Sequence, residues 1–347
     1  MRLLLFVAFA SLAGAATLAA QTAPSPAAGP VQWTIQPRSG ETTGPETLQF
    51  QLTRTQGRSR WVHSDSVAPE RLRGLSSEAL SSAEGRPVAF RFGGEAGVLA
   101  CEGVARRGHG TGECRFEPDT AFSAALARRG MGTPSDEEMF RMSIAGIGLA
   151  FVDEVQRQGY VRPTVAELVR AADHGVGLEY LRGMGRLGYR AGTLAGLTRM
   201  RDHGVTPVYV EALAAAGYRG LSSDEIVRMR DHGVSAEFVR ALAQNGVRGL
   251  TSAELVRLRD HGVSAEFVGR VRALGFAATP AEMIRMRDHG VGADYLTELK
   301  TLGYGDLTPA EIVRLRSHGV STDFIRRANA GGRRSAEELV RLRSSGS

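Results

Sequence analysis

Two periods divide this chain. Between residues 31 and 118 apolar and polar positions alternate, in WTIQ (33–36), TLQFQL (47–52), PVAFRF (87–92) and, more weakly, WVHSDSV (61–67). Alternation sets every second side chain on the same face of a strand, so Leu48, Phe50 and Leu52 group together, as do Val88, Phe90 and Phe92. The pattern predicts five or six short antiparallel strands, broken by GLSSEAL (74–80). DTAFSAALARRG (119–130) then opens on a capping Asp119 and closes on a glycine, as a linking helix over 119–132 would.

From about residue 133 the apolar spacing becomes helical and the chain repeats itself. Histidines that precede a glycine stand at 174, 203, 232, 261, 289 and 318, a period of 29 residues with one step of 28. RMSIAGI (141–147) fills the same place in a degenerate first copy, and RLRSSGS (341–347) reads as half a copy one period after His318. A period of this length predicts stacked units that each bury a face only against their neighbours. Each unit resolves into two helices. The first opens with a Ser/Thr-x-x-Glu capping box at Thr164/Glu167, Ser222/Glu225, Thr251/Glu254, Thr279/Glu282, Thr308/Glu311 and Ser335/Glu338. Thr193 departs from it, with Gly196 where the glutamate belongs. In the clearest copy the first helix buries Ile226, Val227 and Met229 and stops at the glycine after His232. The second begins at Ser235, buries Phe238, Val239 and Leu242, and ends at Gly246. The expected fold is therefore α+β and multidomain: a small antiparallel β-domain (31–118), then an all-α solenoid of αα-hairpin repeats (133–347).

The recurring Asp-His-Gly invites a chemical reading. As metal ligands, His174, His203, His232, His261, His289 and His318 supply one donor per repeat. A zinc site needs three or four converging on one point, whereas stacked helices stand about 8–10 Å apart. A hydrolytic triad is no better served, because no serine or cysteine nucleophile recurs in a strained elbow. A structural reading needs nothing further: the glycine ends the helix in the left-handed conformation, and the histidine sits where the helix dipole favours positive charge. A metal-binding or pH-responsive histidine column stays open as the weaker alternative.

The arginines make a surface argument. Arg199, Arg228, Arg257, Arg285 and Arg314 form one column pointing away from the apolar face. A second column, Arg201, Arg230, Arg259, Arg287 and Arg316, lies beside that face, lapses at Ala172 and Ser143, and is expected to be partly buried at repeat junctions and paired with Asp or Glu. Both suit a solvated, ion-paired face. The sharper alternative is that the outward column lines a groove for an acidic or extended partner.

Composition adds limits. The net charge of +6 comes almost wholly from arginine, since Lys300 is the only lysine, and acids are interleaved nearly one for one. That interleaving argues against a clustered nucleic-acid footprint. Arg2 followed by an apolar run and the small residues Thr17 to Ala20 reads as a secretion signal (1–20), cut near Ala19 or Ala20, or at Ala23. An uncleaved membrane anchor is the alternative. QTAPSPAAGP (21–30) follows as a linker, and the mature chain is expected in the periplasm or outside the cell. In that oxidising setting the two cysteines are informative. Pairing strands about a centre between Arg107 and Gly108 sets Cys101 opposite Cys114, Leu99 opposite Phe116 and Gly103 opposite Gly112, which predicts a cross-strand disulfide. A redox pair would want Cys-x-x-Cys.

The unit ELVRLRDHGVSAEFV (254–268) and its copies, with the segment 87–118 before them, resemble repeats in bacterial extracytoplasmic proteins of unknown role. Similar repeats are attached to some membrane metallopeptidases of the beta-lactam-sensor type. No protease motif is present to carry over, so the resemblance implies an exported sensing or binding region standing alone. The expected function is non-enzymatic binding of a protein or peptide in the cell envelope, such as a membrane sensor, with no cofactor, nucleic acid or small-molecule substrate. The alternatives are a metal-binding or enzymatic protein using the β-domain cleft or the repeat histidines, and a structural spacer.

Overall fold

The computed structural model describes residues 30–37, 47–56, 59–190 and 192–346; the secretion signal and nearly all of the linker fall outside them. The secretion signal is an expectation from the sequence; among the described residues, no helix is long and apolar enough to cross a membrane. The chain divides into two compact units, one of residues up to Phe92 with Leu99–Phe116, the other of Gly93–Val98 with Glu117–Ser347.

In the first unit six strands form one sheet. They are β1 (Val31–Pro37), β2 (Leu48–Gln56), β3 (Ser59–Val67), β4 (Arg86–Gly94), β5 (Gly97–Arg106) and β6 (His109–Pro118), in the order β3-β2-β1-β6-β5-β4. The GLSSEAL interruption becomes a short helix, α1 (Ser77–Ser81), capped by Ser76. Alternation fixes the faces: Trp33 and Ile35, Phe50 and Leu52, Phe90 and Phe92, Leu99 and Cys101 are all buried. The Phe50 ring on β2 meets Phe90 at 6.1 Å and Phe92 at 4.9 Å, although three strands separate β2 from β4 in the sheet. The sheet must therefore curl so that its inner face encloses one aromatic core. Trp33 sits at the centre, wholly buried, with its indole N–H donated to the Glu102 carbonyl at 3.1 Å. Its ring lies where side chains on Gly103, Gly110 and Gly112 would be, since a Cβ on any of them would come within 2.8 Å of the indole. Those glycines make room for a tryptophan. Cys101 and Cys114 form the disulfide beside them.

In the second unit α2 (Thr120–Arg128) is capped by Asp119, which accepts from the amides of Ala121 and Phe122. The repeats follow. Their first helices are α3 (Asp136–Ile144), α5 (Val165–Asp173), α7 (Leu194–Asp202), α9 (Ser223–Asp231), α11 (Ser252–Asp260), α13 (Pro280–Asp288), α15 (Pro309–Ser317) and α17 (Ala336–Ser344). Their second helices are α4 (Leu149–Arg157), α6 (Leu178–Arg186), α8 (Pro207–Ala215), α10 (Ala236–Gln244), α12 (Ala265–Ala273), α14 (Ala293–Thr301) and α16 (Thr322–Ala328). First helices pack on first helices and second on second, in sequence order, as a one-dimensional stack requires.

The expected capping boxes form at all six positions, and a seventh forms at Ser135/Glu138 in the degenerate first copy. The glycine after His232 has φ +68°, the Val234 amide donates to the Met229 carbonyl at 2.9 Å, and the Gly233 amide donates to Arg230 at 3.1 Å. That is a Schellman cap, and it leaves Val234 buried against the helix it ends. One boundary differs from expectation. Ser345 takes the C-cap position that His318 holds one repeat earlier, as the match of RLRSSGS to RLRSHGV implies, but 27 residues on instead of 29, because α16 has seven residues where the other second helices have nine.

The turn Gly93–Val98 belongs to this helical unit by its contacts. Ser143, at the place where later repeats carry a second-column arginine, donates to the Gly97 carbonyl at 2.6 Å and accepts from the Gly94 amide at 3.1 Å. Glu95 accepts from the Leu149 amide at 2.9 Å, so it supplies α4 with the side-chain cap that Gly148 lacks. The first repeat thus takes from this turn the cap that most later second helices take from their own Ser or Thr.

Candidate interaction surface along the helical repeats

Each repeat junction is built from the same parts. The second helix opens with an aromatic residue in its first turn, and its ring is buried. Over that ring lies the second-column arginine of the next repeat. Arg201 covers Tyr180, Arg230 covers Tyr209, Arg259 covers Phe238, Arg287 covers Phe267 and Arg316 covers Tyr295, at 5.1 to 5.3 Å from guanidinium carbon to ring centre. Arg343 over Phe324, at 5.5 Å, extends the column. Junctions were the expected place for these arginines, but Arg230, Arg259 and Arg316 stay exposed instead of partly buried, and the expected carboxylate partners are replaced by aromatic faces. The reason is geometric: the residue beside the apolar stripe meets the neighbouring repeat's ring before it can reach an acid. Of these, Arg287 and Arg316 also donate to the carbonyls of Gly262 and Gly290, at 3.0 and 3.1 Å.

Where the ring is tyrosine, its hydroxyl crosses the junction too. Tyr180, Tyr209 and Tyr295 donate to the carbonyls of Val205, Val234 and Val320 at 2.9, 2.7 and 3.0 Å. Burial pushes all three phenols up, Tyr209 and Tyr295 to about 12, against a smaller opposing effect from the stacked arginine.

The histidines form a ladder on the same edge. His174 Nδ1 meets Asp202 at 2.5 Å, His203 meets Asp231 at 2.7 Å, His232 meets Asp260 at 2.5 Å and His261 meets Asp288 at 2.7 Å. Each imidazole therefore pairs with the aspartate of the next repeat, not with the one beside it in sequence. At the ends the ladder changes chemistry: Arg141 takes Asp173, since the first copy has no histidine, and His289 meets Ser317 at 2.8 Å, where serine replaces aspartate. Both partners are about two-fifths exposed, so each pair contributes on the order of 0–1 kcal/mol. Sequence spacing places the histidines at helix C-caps, as expected, but it misses the ladder. The signal was present in the joint pattern of Asp and His in five successive copies. Among the described residues, no group of three or more His, Cys, Asp or Glu is gathered to hold a metal ion.

The outward column is different. Arg199, Arg228, Arg257, Arg285 and Arg314 are all exposed. Arg199 pairs with Asp224, the second residue of the next repeat's first helix, at 2.6 Å. The same position holds Ala253, Ala281 and Ala310 in the following three repeats, and all three are exposed. Among the described residues, Arg228, Arg257 and Arg285 accordingly have no ion-pair partner, and Arg314 has none because Glu337, at the facing position, pairs with Arg341 instead. One turn toward each helix start, about 5.4 Å away, the capping glutamates form a parallel acidic column. Glu225, Glu254, Glu282 and Glu311 are held below the usual carboxylate range, chiefly because the amide of the cap residue donates to them. Charge on this face is therefore striped, with acid on both sides of a line of open guanidinium groups.

These features define the protein as an αα-hairpin repeat array joined in one chain to a curled, disulfide-bridged β-sheet. Compared with protein families, curated proteins and solved structures, the chain matches none.

Proposed function

We propose that this is a non-enzymatic binding protein, carried out of the cytoplasm by its N-terminal leader, that engages a protein or peptide partner of the cell envelope through its helical repeats. The observation that carries the reading is the contrast between the two arginine columns. One is committed to holding neighbouring repeats together, while the other presents Arg228, Arg257, Arg285 and Arg314 to solvent with no ion-pair partner among the described residues. Arginine is among the residues most enriched where proteins bind each other. A membrane sensor is the kind of partner in view.

The test is site-directed photo-crosslinking in the full chain. A photoreactive residue at Ala281, in the middle of the open column, should trap a discrete envelope partner. The adduct should disappear when Arg257 and Arg285 are both changed to glutamate. No adduct at Ala281, with none at Ala253 or Ala310 either, overturns the reading. The same outcome would favour a spacer, for which the regular Arg–aromatic junctions are the supporting observation.

A further inference from the structure

The pattern of open and closed guanidinium groups defines the partner more narrowly. In the repeat headed by α7, Arg199 is satisfied from within the chain by Asp224. In the next three repeats the aspartate's position is alanine, at Ala253, Ala281 and Ala310, and the arginine it would have satisfied is left open. At the far end the position turns acidic again as Glu337, which pairs with Arg341 at 3.5 Å. The closed positions thus bracket a run of open ones. Alanine does two things there: it withholds the internal carboxylate, and it lowers the surface beside each guanidinium so that a chain can lie against the helices.

We infer that Arg228, Arg257 and Arg285 receive an extended peptide whose carboxylates recur at about every third residue. This rests on the binding role proposed above. Neighbouring first helices stand about 8–10 Å apart, and an extended chain advances about 3.3 Å per residue, so three residues span one repeat. Each peptide carboxylate then takes the place that Asp224 fills for Arg199. The flanking columns select against denser anions. Glu254, Glu282 and Glu311 on one side, and Asp260 and Asp288 on the other, stand about one turn from the arginines. A phosphate polymer, charged along its whole length, would be repelled by both fences. A peptide with neutral residues between its acids passes between them.

The test uses the full chain and three probes in fluorescence anisotropy at low and moderate salt. One peptide has glutamate at every third position with Gly/Ser between, a second has the same composition with its glutamates contiguous, and inorganic polyphosphate is the third. The spaced peptide should bind best, and its affinity should fall about tenfold or more in Ala281→Asp/Ala310→Asp, which supplies the internal partner. An acid in a helix's first turn is favourable, so that variant is expected to fold. Arg257→Gln/Arg285→Gln checks the same loss should it fold poorly. Equal or tighter binding of the contiguous peptide or of polyphosphate overturns the inference, as does unchanged affinity in both variants. A partner crosslinked at Ala253 that ignores Ala281→Asp/Ala310→Asp, together with no binding of the spaced peptide, would leave the binding role standing and remove only the acidic-peptide assignment.

Discussion

Arg257 and Arg259 stand two residues apart on one helix and have opposite fates. Arg259 lies over the Phe238 ring at 5.2 Å, at the seam between repeats. Arg257 points outward with no ion-pair partner. The same contrast recurs in the neighbouring repeats, so it belongs to position and not to residue type. A residue beside the apolar stripe is captured by the adjacent repeat. One turned a further step around the helix is captured only if the adjacent repeat offers a carboxylate at the second helical position, as Asp224 does for Arg199.

The contrast breaks most visibly if the ring beneath an inner arginine is removed. Tyr209→Ala deletes a buried ring, its bond to Val234 and the platform for Arg230. Chemical unfolding should show a loss of about 3–5 kcal/mol. Tyr209→Phe keeps the platform and loses only the hydroxyl's bond, at about 1 kcal/mol. A Tyr209→Ala loss no larger than that of Tyr209→Phe would mean the stack does not hold the junction.

Alkali should sharpen the same point. Tyr209 and Tyr295 titrate near 12 in the folded chain because burial disfavours the phenolate, against about 10 when unfolded. A folded pKa above the unfolded one means the stabilisation is complete below about pH 10 and is lost as pH rises through 12. The fall in stability should follow phenolate absorbance, and Tyr209→Phe/Tyr295→Phe should blunt it. In acid the sign reverses. The capping glutamates titrate below their usual range, so their contribution is present above about pH 4.3 and fades as pH falls through the lower folded values. Glu254→Gln/Glu282→Gln should flatten that acid limb.

The smallest expected effect lies in the β-unit, where the hairpin turn holds Arg107 at φ +51° followed by Gly108 at φ +81°. Both residues of such a turn favour glycine or asparagine. Arg107→Asn should stabilise the β-unit by about 0.5–1 kcal/mol in thermal unfolding, and a loss would show that the arginine has a role its backbone strain conceals.

Much of this architecture was legible in the sequence. Alternation marked the strands, because a half-buried sheet forces period two, and the capping boxes and glycines marked the helices, because helix ends must satisfy their own amides and carbonyls. The pairing of Cys101 with Cys114 followed from counting outward from the turn. Contacts that depend on the neighbour's position were not legible. Nothing in a single copy says that His232 reaches Asp260 rather than Asp231, or that Arg259 will find Phe238 before any carboxylate. The curl that brings Phe50 to Phe92 is likewise a property of the whole sheet. The open arginines stood between these cases: the column was evident, but its significance required knowing that Asp224 satisfies Arg199 and that three alanines then vacate the same position.

The account turns on the claim that the inner column stabilises and the outer one does not. Urea unfolding of Arg259→Ala and Arg257→Ala, measured side by side, tests it directly. Arg259→Ala should lose about 1 kcal/mol through its stacked guanidinium and packed stem, while Arg257→Ala stays within about 0.5 kcal/mol of the parent. Equal losses, or a larger one at Arg257, would contradict the division of labour between the two columns.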